Sequence, residues 1–462
     1  MKPAALLLIL ITIAFAACRK DRFTGSADAQ LRPGADTLHF DTVFVNTGST
    51  SGVVKIFNDN EEGIRISSVR LAGGNASPFR INADGIAGPE VRDLEVAGGD
   101  SLYVFVTVTI NPNSNTQPFV VQDSIAIEWN GNRRWVQLDA FGQNARFLRN
   151  HIVRGSETWD NTLPYVILDG ITVDTLASLN ITQGTHIYFH GNAPMIVHGS
   201  LHSTGDRYDS TRVRFTGDRL DIPYRNFPAS WPGIYFSDVS RNNTLTFTSV
   251  LNAYQAIAIE GPAPATQLTL RECIIDNAYD AGIYANNAGI DSRNLLVSNC
   301  GSGISLSGGG NYNFVHTTAV GYSNRYQQHT NPVLFISNRT ASGGSAALNA
   351  TFRNGIYWGE ANGLVQDEVV VLNSTGAPFN VTFDGALWRM RATPSGIGAS
   401  NIQNGLDPTF DSVDHTNRIY SFRLATGSPA VDKGGNAGTP IDLDGKPRPA
   451  GLAPDLGAYE KQ

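Results

Sequence analysis

Three aligned segments between residues 250 and 306 decide the fold: VLNAYQAIAI (250–259), IIDNAYDAGIY (274–284) and LVSNCGSGISL (296–306). Each segment has a short apolar strand, a turn with an asparagine, and a second apolar strand. The asparagines Asn252, Asn277 and Asn299 are 25 and 22 residues apart. A period in the low twenties that repeats strands rather than helices indicates a β-solenoid, whose coils stack through backbone hydrogen bonds.

The repeated asparagine predicts a stacked turn. Asn tolerates left-handed backbone, and its side-chain amide can hydrogen-bond along a ladder of identical residues. We therefore expect Asn252, Asn277 and Asn299 to form a structural ladder without a chemical role. The same alignment puts Cys273 in an inward stack and Cys300 in a turn, which predicts two buried free thiols.

Composition agrees with many short strands and argues against one class of partner. The chain has 462 residues, which is too long for one compact core. Charged residues make up 16% of it and glycine contributes 47 residues, as turn-rich β-proteins require. The net charge is −7, and no basic stripe is present. A nucleic-acid partner is therefore not expected.

The N-terminus predicts export. An uncharged apolar run from Ala4 to Ala17 follows Lys2, so residues 1–17 are expected to be a signal peptide. The ending Phe15-Ala16-Ala17-Cys18 resembles the looser lipoboxes of Bacteroidetes. This resemblance implies lipidation at Cys18, a lipidated tether over residues 18–35 and a membrane partner. We therefore expect the protein to be attached to the outer membrane, either on its periplasmic side or on the cell surface. The alternative is an ordinary secretory signal cut after Ala17, with Cys18 incidental.

Residues 36–145 alternate apolar and polar positions between Gly, Asn and Pro turns, which predicts an antiparallel β-sandwich. Phe44 to Gly48, then Ile56-Phe57-Asn58, then Phe79-Arg80-Ile81 resemble successive elements of ASH/HYDIN-type immunoglobulin-like (Ig-like) modules. Such modules act as spacers or binding platforms. The expected fold class is therefore all-β, with an Ig-like β-sandwich ahead of the solenoid.

The chain end is the most specific match to a known family. GSPAVDKG (427–434), DLDGKPR (442–448) and DLGAYE (455–460) resemble the C-terminal region of pectin-lyase-like surface proteins of the choice-of-anchor Q type. The resemblance implies a single-stranded right-handed parallel β-helix over residues 146–400. Residues 401–462 would be a C-terminal capping segment that covers the last exposed coil.

Two readings of the acidic residues in that segment stay open. They could close capping turns, which we favour, or they could bind Ca²⁺, whose ligands are carboxylate and carbonyl oxygens. The residues concerned are Asp432, Asp442, Asp444, Asp455 and Glu460.

Pectin-lyase-like folds include polysaccharide lyases and glycoside hydrolases, so enzyme chemistry has to be weighed. A lyase needs a base beside a uronate carboxyl, yet no lysine lies between Lys55 and Lys433. A hydrolase needs two carboxylates about 5–10 Å apart, and no paired-Asp strand motif is present. We expect no catalytic residues; a lyase is the alternative, ahead of a hydrolase.

Histidines offer one candidate metal patch. His186 and His190 share one face by the strand period of two, and His198 and His202 follow in the next strand. Four imidazoles could bind a metal ion if those strands were neighbours. The favoured alternative is solvent-facing side chains and no metal, so no cofactor is expected.

Aromatic residues are the better indication of a partner. Trp231, Tyr235, Tyr254 and Trp358 could offer stacking platforms to sugar rings on a solenoid wall. The favoured alternative is that most of them fill the core or pack loops. We thus expect a cell-envelope lipoprotein that binds a polysaccharide or an envelope protein.

Overall fold

The computed structural model describes residues 22–45, 47–113 and 115–462. The predicted signal peptide and the predicted lipidation site at Cys18 lie outside them. The chain divides into two compact units, the first ending at Asn144 and the second running from Ala145 to Gln462. Across the described ranges we find strands, two short 3₁₀ turns (Gly74–Ala76 and Tyr224–Asn226) and no α-helix, which confirms the all-β prediction. No helical segment there is long and apolar enough to span a bilayer.

Two β-sheets make up the first unit. Its strands, within the residues described up to Asn144, are β1 (Phe23–Thr24), β2 (Arg32–Pro33), β3 (Thr37–Phe44), β4 (Gly52–Phe57), β5 (Gly63–Leu71), β6 (Phe79–Ala83), β7 (Ile86–Gly88), β8 (Glu90–Val96), β9 (Ser101–Val108), β10 (Phe119–Trp129) and β11 (Asn132–Gln143). One sheet has the order β1-β5-β10-β11-β3, with β8 also paired to β5. The other has the order β2-β4-β9-β6-β7.

Each sheet of the first unit buries one face against the other. In β9, Leu102 and Val104 are buried, whereas Tyr103 between them is exposed. The aromatic rings of Phe40 in β3 and Phe79 in β6 meet across the two sheets, with centroids 5.9 Å apart. Alternation with a period of two therefore positions the core, as the sequence pattern predicts.

The segment predicted to be a tether is partly folded, which corrects that prediction. Phe23 pairs with Gly63 and adds β1 to the first sheet, and Arg32 pairs with Phe57 and adds β2 to the second. The Phe23 ring packs where a Cβ on Gly63 would lie, 2.7 Å from the nearest ring atom. Two-residue strands are too short to show alternation, so no pattern in the sequence predicts this pairing.

The second unit is described in full and contains the remaining strands. These are β12 (Arg146–Val153), β13 (Ser156–Trp159), β14 (Tyr165–Val173), β15 (Ser178–Ile181), β16 (His186–Phe189), β17 (Met195–Val197), β18 (Ser200–Thr204), β19 (Val213–Gly217), β20 (Ile234–Phe236), β21 (Asn243–Thr246), β22 (Thr248–Leu251), β23 (Gln255–Glu260), β24 (Leu268–Arg271), β25 (Ile274–Asp276), β26 (Ala281–Ser298), β27 (Ser302–Gly321), β28 (Leu334–Ser337), β29 (Leu348–Gly359), β30 (Val369–Leu372), β31 (Phe379–Trp388), β32 (Gly398–Asn404), β33 (Phe410–Asp414) and β34 (Ile419–Leu424).

Strands β12 to β32 form one parallel, solenoid-like sheet of 21 strands in residues 146–404, every one of which is described. Strands of successive coils pair in register, so that like positions stack. One such stack runs through Tyr165, Ile187, Phe215, Val250 and Ile275. These residues belong to a continuous buried core that fills the interior of the coils. Each coil buries its apolar face against its neighbours, as the repeat predicts.

The C-terminal segment lies along the side of the solenoid, which corrects the prediction of an end cap. We call residues 406–462 the strap. Arg212 and Asn294 donate hydrogen bonds to the strap carbonyls of Leu443 and Ile441, at 2.6 and 2.8 Å. Further along, Asn354 donates to Gly435 at 2.7 Å. The strand that ends the sheet, β32, keeps an exposed first half.

An outward apolar stripe on the solenoid explains why the strap lies there. Its members alternate with inward residues on stacked strands and would otherwise face water: Leu296, Val320, Ile356, Trp358 and Leu387. Apolar strap residues cover the stripe and complete a second buried cluster: Phe422, Leu424, Ala430, Leu443, Leu456, Ala458 and Tyr459. Burying these two sets of side chains against each other stabilises the folded state by roughly 25 cal/mol per Å² of apolar surface removed from water. The strap is thus a lateral cover of several coils.

Candidate functional site

Two of the four aromatic residues predicted to bind sugar are part of the buried structure. Trp231 is fully buried; its ring stacks on Phe189 with centroids 4.2 Å apart, and its indole N–H donates to the Leu251 carbonyl. Trp358 is buried under the strap. Both predictions were wrong because these side chains are covered, Trp231 inside the coil and Trp358 in the outward stripe.

The other two predicted residues lie on the outer wall, next to a partner that the prediction missed. Tyr254 stacks on Tyr279 of the following coil, with ring centroids 5.8 Å apart and an interplanar angle of 26°. About half of each side chain is exposed, 44% for Tyr254 and 53% for Tyr279. Tyr235 is half-buried beside them. We call Tyr235, Tyr254 and Tyr279 the tyrosine wall.

Register explains why the two rings stack. The Tyr254 amide donates to the Trp231 carbonyl, and the Tyr279 amide donates to the Ala253 carbonyl, so the two tyrosines occupy like positions one coil apart. The sequence carried this signal, since Tyr279 follows Asn277 as Tyr254 follows Asn252. Residues at the same repeat position stack at about the strand spacing of 4.8 Å.

Polar groups adjoin the rings of the tyrosine wall. Gln255 donates from its amide to the Asp280 carboxylate at 2.7 Å, and the Tyr235 hydroxyl donates to the Pro232 carbonyl at 3.1 Å. Burial raises the pKa of Tyr235 above its ordinary value, and the nearby Tyr254 and Asp280 add to that shift. The wall thus combines half-exposed tyrosine rings with a carboxylate and an amide, the kinds of group that contact sugar rings and bond to their hydroxyls.

The three asparagines predicted to form a ladder lie at one turn of consecutive coils. All adopt left-handed backbone, with φ of +61° at Asn252, +59° at Asn277 and +52° at Asn299. The Asn277 amide donates to Asn252 Oδ1 at 2.7 Å. The Asn299 amide instead donates to the Asp276 carboxylate at 3.3 Å. Asn252 and Asn277 are therefore linked directly, while Asn299 is held by the neighbouring carboxylate.

The predicted histidine patch is not assembled. His186 is in β16, which pairs with β14 and β19, whereas His202 is in β18, which pairs with β15 and β21. His190 contacts Asp218 at 2.8 Å and His198 contacts Ser237 at 2.9 Å. The strands β16 and β18 therefore belong to different stacks of paired strands. No set of three or more His, Cys, Asp or Glu in the described ranges is arranged to hold a metal ion.

The acidic residues of the strap hold its own backbone. Asp442 accepts hydrogen bonds from the amides of Asp444, Lys446 and Glu460. Asp455 accepts from the amides of Asp432 and Lys461. Asp432 and Glu460 likewise accept backbone amides, and Arg423 binds Asp444 through two hydrogen bonds. Their oxygens are engaged in turns, the reading favoured over Ca²⁺ binding.

A buried ion cluster resembles catalytic chemistry but is enclosed. His329 Nε2 lies 3.1 Å from Glu368, and Arg389 lies 2.5 Å from the same carboxylate. Side-chain exposure is 1% for His329 and 0% for Glu368, so a substrate cannot reach them. A Cβ on Gly321 or Gly359 would overlap these side chains, at 2.2 and 2.3 Å. The cluster therefore serves packing between later coils.

Comparison with known proteins adds little. No protein-family model matches the chain, and no curated protein matches it. One similar solved structure was reported as "The details of glycolipid glycan hydrolysis by the structural analysis of a family 123 glycoside hydrolase from Clostridium perfringens". Its TM-score is 0.18 at 10% identity, and the match covers 25% of this chain and 26% of that one. The chain therefore spans about a quarter of that structure, and a likeness of this size carries no argument about fold or activity.

Proposed function

We propose that this protein is an exported cell-envelope lipoprotein whose solenoid binds a glycan along the tyrosine wall. In this proposal the solenoid is a right-handed parallel β-helix of the pectin-lyase-like kind, and the first unit is an Ig-like sandwich. Lipidated Cys18 anchors the chain in the outer membrane. The observation that carries the proposal is the solvent-exposed stack of Tyr254 on Tyr279.

The stack supports a sugar ligand because of where it is and what surrounds it. Two half-exposed tyrosine rings lie side by side on consecutive coils, and Asp280 and Gln255 adjoin them. Sugar rings have apolar faces and hydroxyl edges, so they match a pair of rings with hydrogen-bonding groups beside them. A glycan chain would lie across the coils.

Binding is favoured over catalysis by the same geometry. The carboxylate beside the rings, Asp280, is already bonded to the Gln255 amide. Hydrolysis needs a second carboxylate about 5–10 Å away on the same face, and lysis needs a base aimed at a uronate. The wall offers stacking surface and hydrogen bonds, the requirements of a binding site.

A glycan array tests this function. The full chain is purified in a detergent without a sugar headgroup and compared with the variant Tyr254→Ala/Tyr279→Ala. Tyr208→Ala is the matched control, since Tyr208 is an exposed tyrosine elsewhere on the solenoid. We expect glycan binding by the wild type and the control, and loss in the double variant. Release of unsaturated products from a polyuronate would replace the binding proposal with a lyase.

A further inference from the structure

An open cavity on the first unit plays no part in the proposed function. It has a volume of about 440 Å³ and is lined by Asp84, Gly85, Ser101, Leu102, Tyr103 and Phe105. It lies between strand β9 and the turn that joins β6 to β7, on the outward side of the second sheet. We call this cavity the hairpin groove.

The local structure of the hairpin groove follows from its sequence. Asp84 and Gly85 have positive φ, +52° and +80°, as the central residues of a two-residue hairpin turn require. Tyr103 and Phe105 are two residues apart in β9, so they share the outward side of the sheet. Strands β6 and β9 pair antiparallel, and continuing their register places Asp84 beside Tyr103. One carboxylate and two rings are thereby brought to one surface.

Solvent reaches the groove, and its polar side chains are not engaged elsewhere. Tyr103 is 42% exposed and Phe105 44%, with ring centroids 6.4 Å apart. Among the residues that the structure describes, neither the Asp84 carboxylate nor the Ser101 hydroxyl has a hydrogen-bond or ion-pair partner. A Cβ on Gly85 would meet nothing within 4 Å, so no side chain closes over the turn. The groove is therefore accessible to a ligand.

The lining groups specify a small ligand that is rich in hydroxyls. Rings beside hydrogen-bonding groups match the apolar faces and hydroxyl edges of sugars. The Asp84 carboxylate accepts hydrogen bonds, while the hydroxyls of Ser101 and Tyr103 both donate and accept. A volume of about 440 Å³ is typical of small-molecule sites. A protein partner needs about 20–30 residues on each side, far more than line this cavity.

Charge favours a neutral sugar over an acidic one. Asp84 is the one charged residue among the six that line the groove, so it would repel the carboxylate of an acidic sugar. Lys55 does not offset it, because its ammonium lies 4.6 Å from the Tyr103 ring centroid in a cation–π contact. Lys55 belongs to β4, which pairs with the opposite edge of β9 from β6.

We infer that the hairpin groove binds a neutral sugar unit, as a glycan site separate from the tyrosine wall. All six lining residues belong to the first unit, so the inference does not depend on the wall. Contact with two rings and a few polar groups predicts a Kd of about 1 mM. Binding of that strength is measured in a solution titration but is lost when a glycan array is washed. The array therefore reports on the wall, and a titration reports on the groove.

The test is a titration of the full chain carrying Tyr254→Ala/Tyr279→Ala, which removes the wall, followed by saturation-transfer NMR. The probes are cellobiose, maltose, lactose and the acidic digalacturonate. We expect at least one neutral disaccharide to bind and digalacturonate to bind more weakly. Adding Tyr103→Thr/Phe105→Thr should weaken binding at least about fivefold, because both rings are lost. Threonine suits an exposed strand position, so the melting temperature should not change.

The matched control is Trp135→Thr/Phe141→Thr, added to the same wall variant. These two aromatic residues are exposed on the outward side of β11 in the other sheet. They are six residues apart, about 20 Å along a strand, so one sugar cannot touch both. Disaccharide binding should be unchanged. Should the groove variant melt earlier than this control, Asp84→Asn provides a second test, because it is expected to bring the affinity for digalacturonate close to that for the neutral probes.

The contrary results overturn the groove without deciding the wall. Absence of binding by all three neutral disaccharides overturns the groove, and so does equal affinity in the groove variant and its control. A dimer in analytical ultracentrifugation that the groove variant abolishes would assign this surface to a second copy of the chain and overturn the sugar site. Failure of the wild type to bind any glycan on the array overturns the proposed function alone.

Discussion

Arg448 of the strap donates a hydrogen bond to His316 Nδ1 of the solenoid, and both residues are buried. The same guanidinium donates to the carbonyls of Asp455, Gly457 and Ala458 and lies 3.3 Å from the Glu460 carboxylate. His316 occupies the turn position taken by Asn294 and Asn354 on neighbouring coils, and all three have positive φ. These buried polar groups join the strap to the coils beside the apolar stripe.

Arg448→Met is expected to loosen the strap. Removing Arg448 leaves the buried Glu460 carboxylate without its counter-charge and takes a donor from several carbonyls; breaking a buried ion pair in this way typically costs about 3–5 kcal/mol of stability. Urea denaturation of the second unit measures the loss in the free energy of unfolding. Arg391→Met is the control, because Arg391 and Asp367 form an exposed pair at the surface; its denaturation midpoint should change little. Equal midpoints for the two variants would contradict the structural role of Arg448.

His316 should make stability depend on pH. Burial, with Arg448 adding to it, holds the pKa of His316 well below its ordinary value of 6.5. The unfolded chain takes up a proton as the pH falls through 6.5, whereas the folded ring stays neutral. The stability that His316 contributes is therefore present above pH 6.5 and is lost as the pH falls towards its folded pKa, by at most about 1.4 kcal/mol per pH unit.

His316→Asn isolates that effect, because asparagine occupies the same turn on neighbouring coils. Raised pKa values at Asp442, Asp455 and Glu460 act in the opposite direction but are common to both proteins. We expect the stability of the wild type relative to the variant to decline between pH 7 and pH 5 in urea denaturation. A difference independent of pH would show that the His316 pKa is not lowered.

Gly321→Ala is expected to destabilise the later coils. A Cβ there would lie 2.2 Å from the buried His329 ring, which is fixed by Glu368. Overpacking of this kind typically costs about 1–3 kcal/mol. Gly435→Ala is the control, since a Cβ at Gly435 meets nothing within 4 Å. In thermal unfolding, Gly321→Ala should melt at a lower temperature than Gly435→Ala. Identical melting temperatures would show that the His329 ring can move aside.

The two thiols of the solenoid should be unreactive in the folded protein. Both Cys273 and Cys300 are free and buried, as the repeat predicts. Burial raises the pKa of Cys273 to about 12 and raises that of Cys300 as well. Because the thiolate is the reactive form, a disulfide reagent at pH 8 should modify neither thiol in the Cys18→Ser chain and both in urea. Rapid modification of the folded chain would contradict their burial.

The repeat allowed the solenoid to be predicted, because a stacked coil reuses the same turn. Asn252, Asn277 and Asn299 marked that turn by a residue type suited to left-handed backbone. The ladder does not continue: Gly321 and Gly359 replace asparagine on later coils to make room for His329 and Glu368. That substitution depends on side chains distant in sequence, which no local pattern reports.

The position of the strap and the identity of the wall could be predicted only in part. Tyr357 and Trp358 are adjacent and both buried, yet one faces the core and the other lies under the strap. Alternation distinguishes the two faces of a strand, but it does not show whether the outward face is covered. The pattern within its own strand therefore does not show that Trp358 is covered by the strap, whereas the exposed Tyr254 and its register with Tyr279 follow from the repeat.

Glycan binding by the tyrosine wall is the central claim, and one comparison of affinities tests it most directly. The glycan that the wild type binds best on the array is titrated against Tyr254→Ala, Tyr279→Ala and the control Tyr208→Ala. Because each ring contributes stacking of about 0.5–1.5 kcal/mol, we expect each wall variant to bind roughly two- to twelvefold more weakly, with the control unchanged. Equal affinities in all four proteins would contradict the claim.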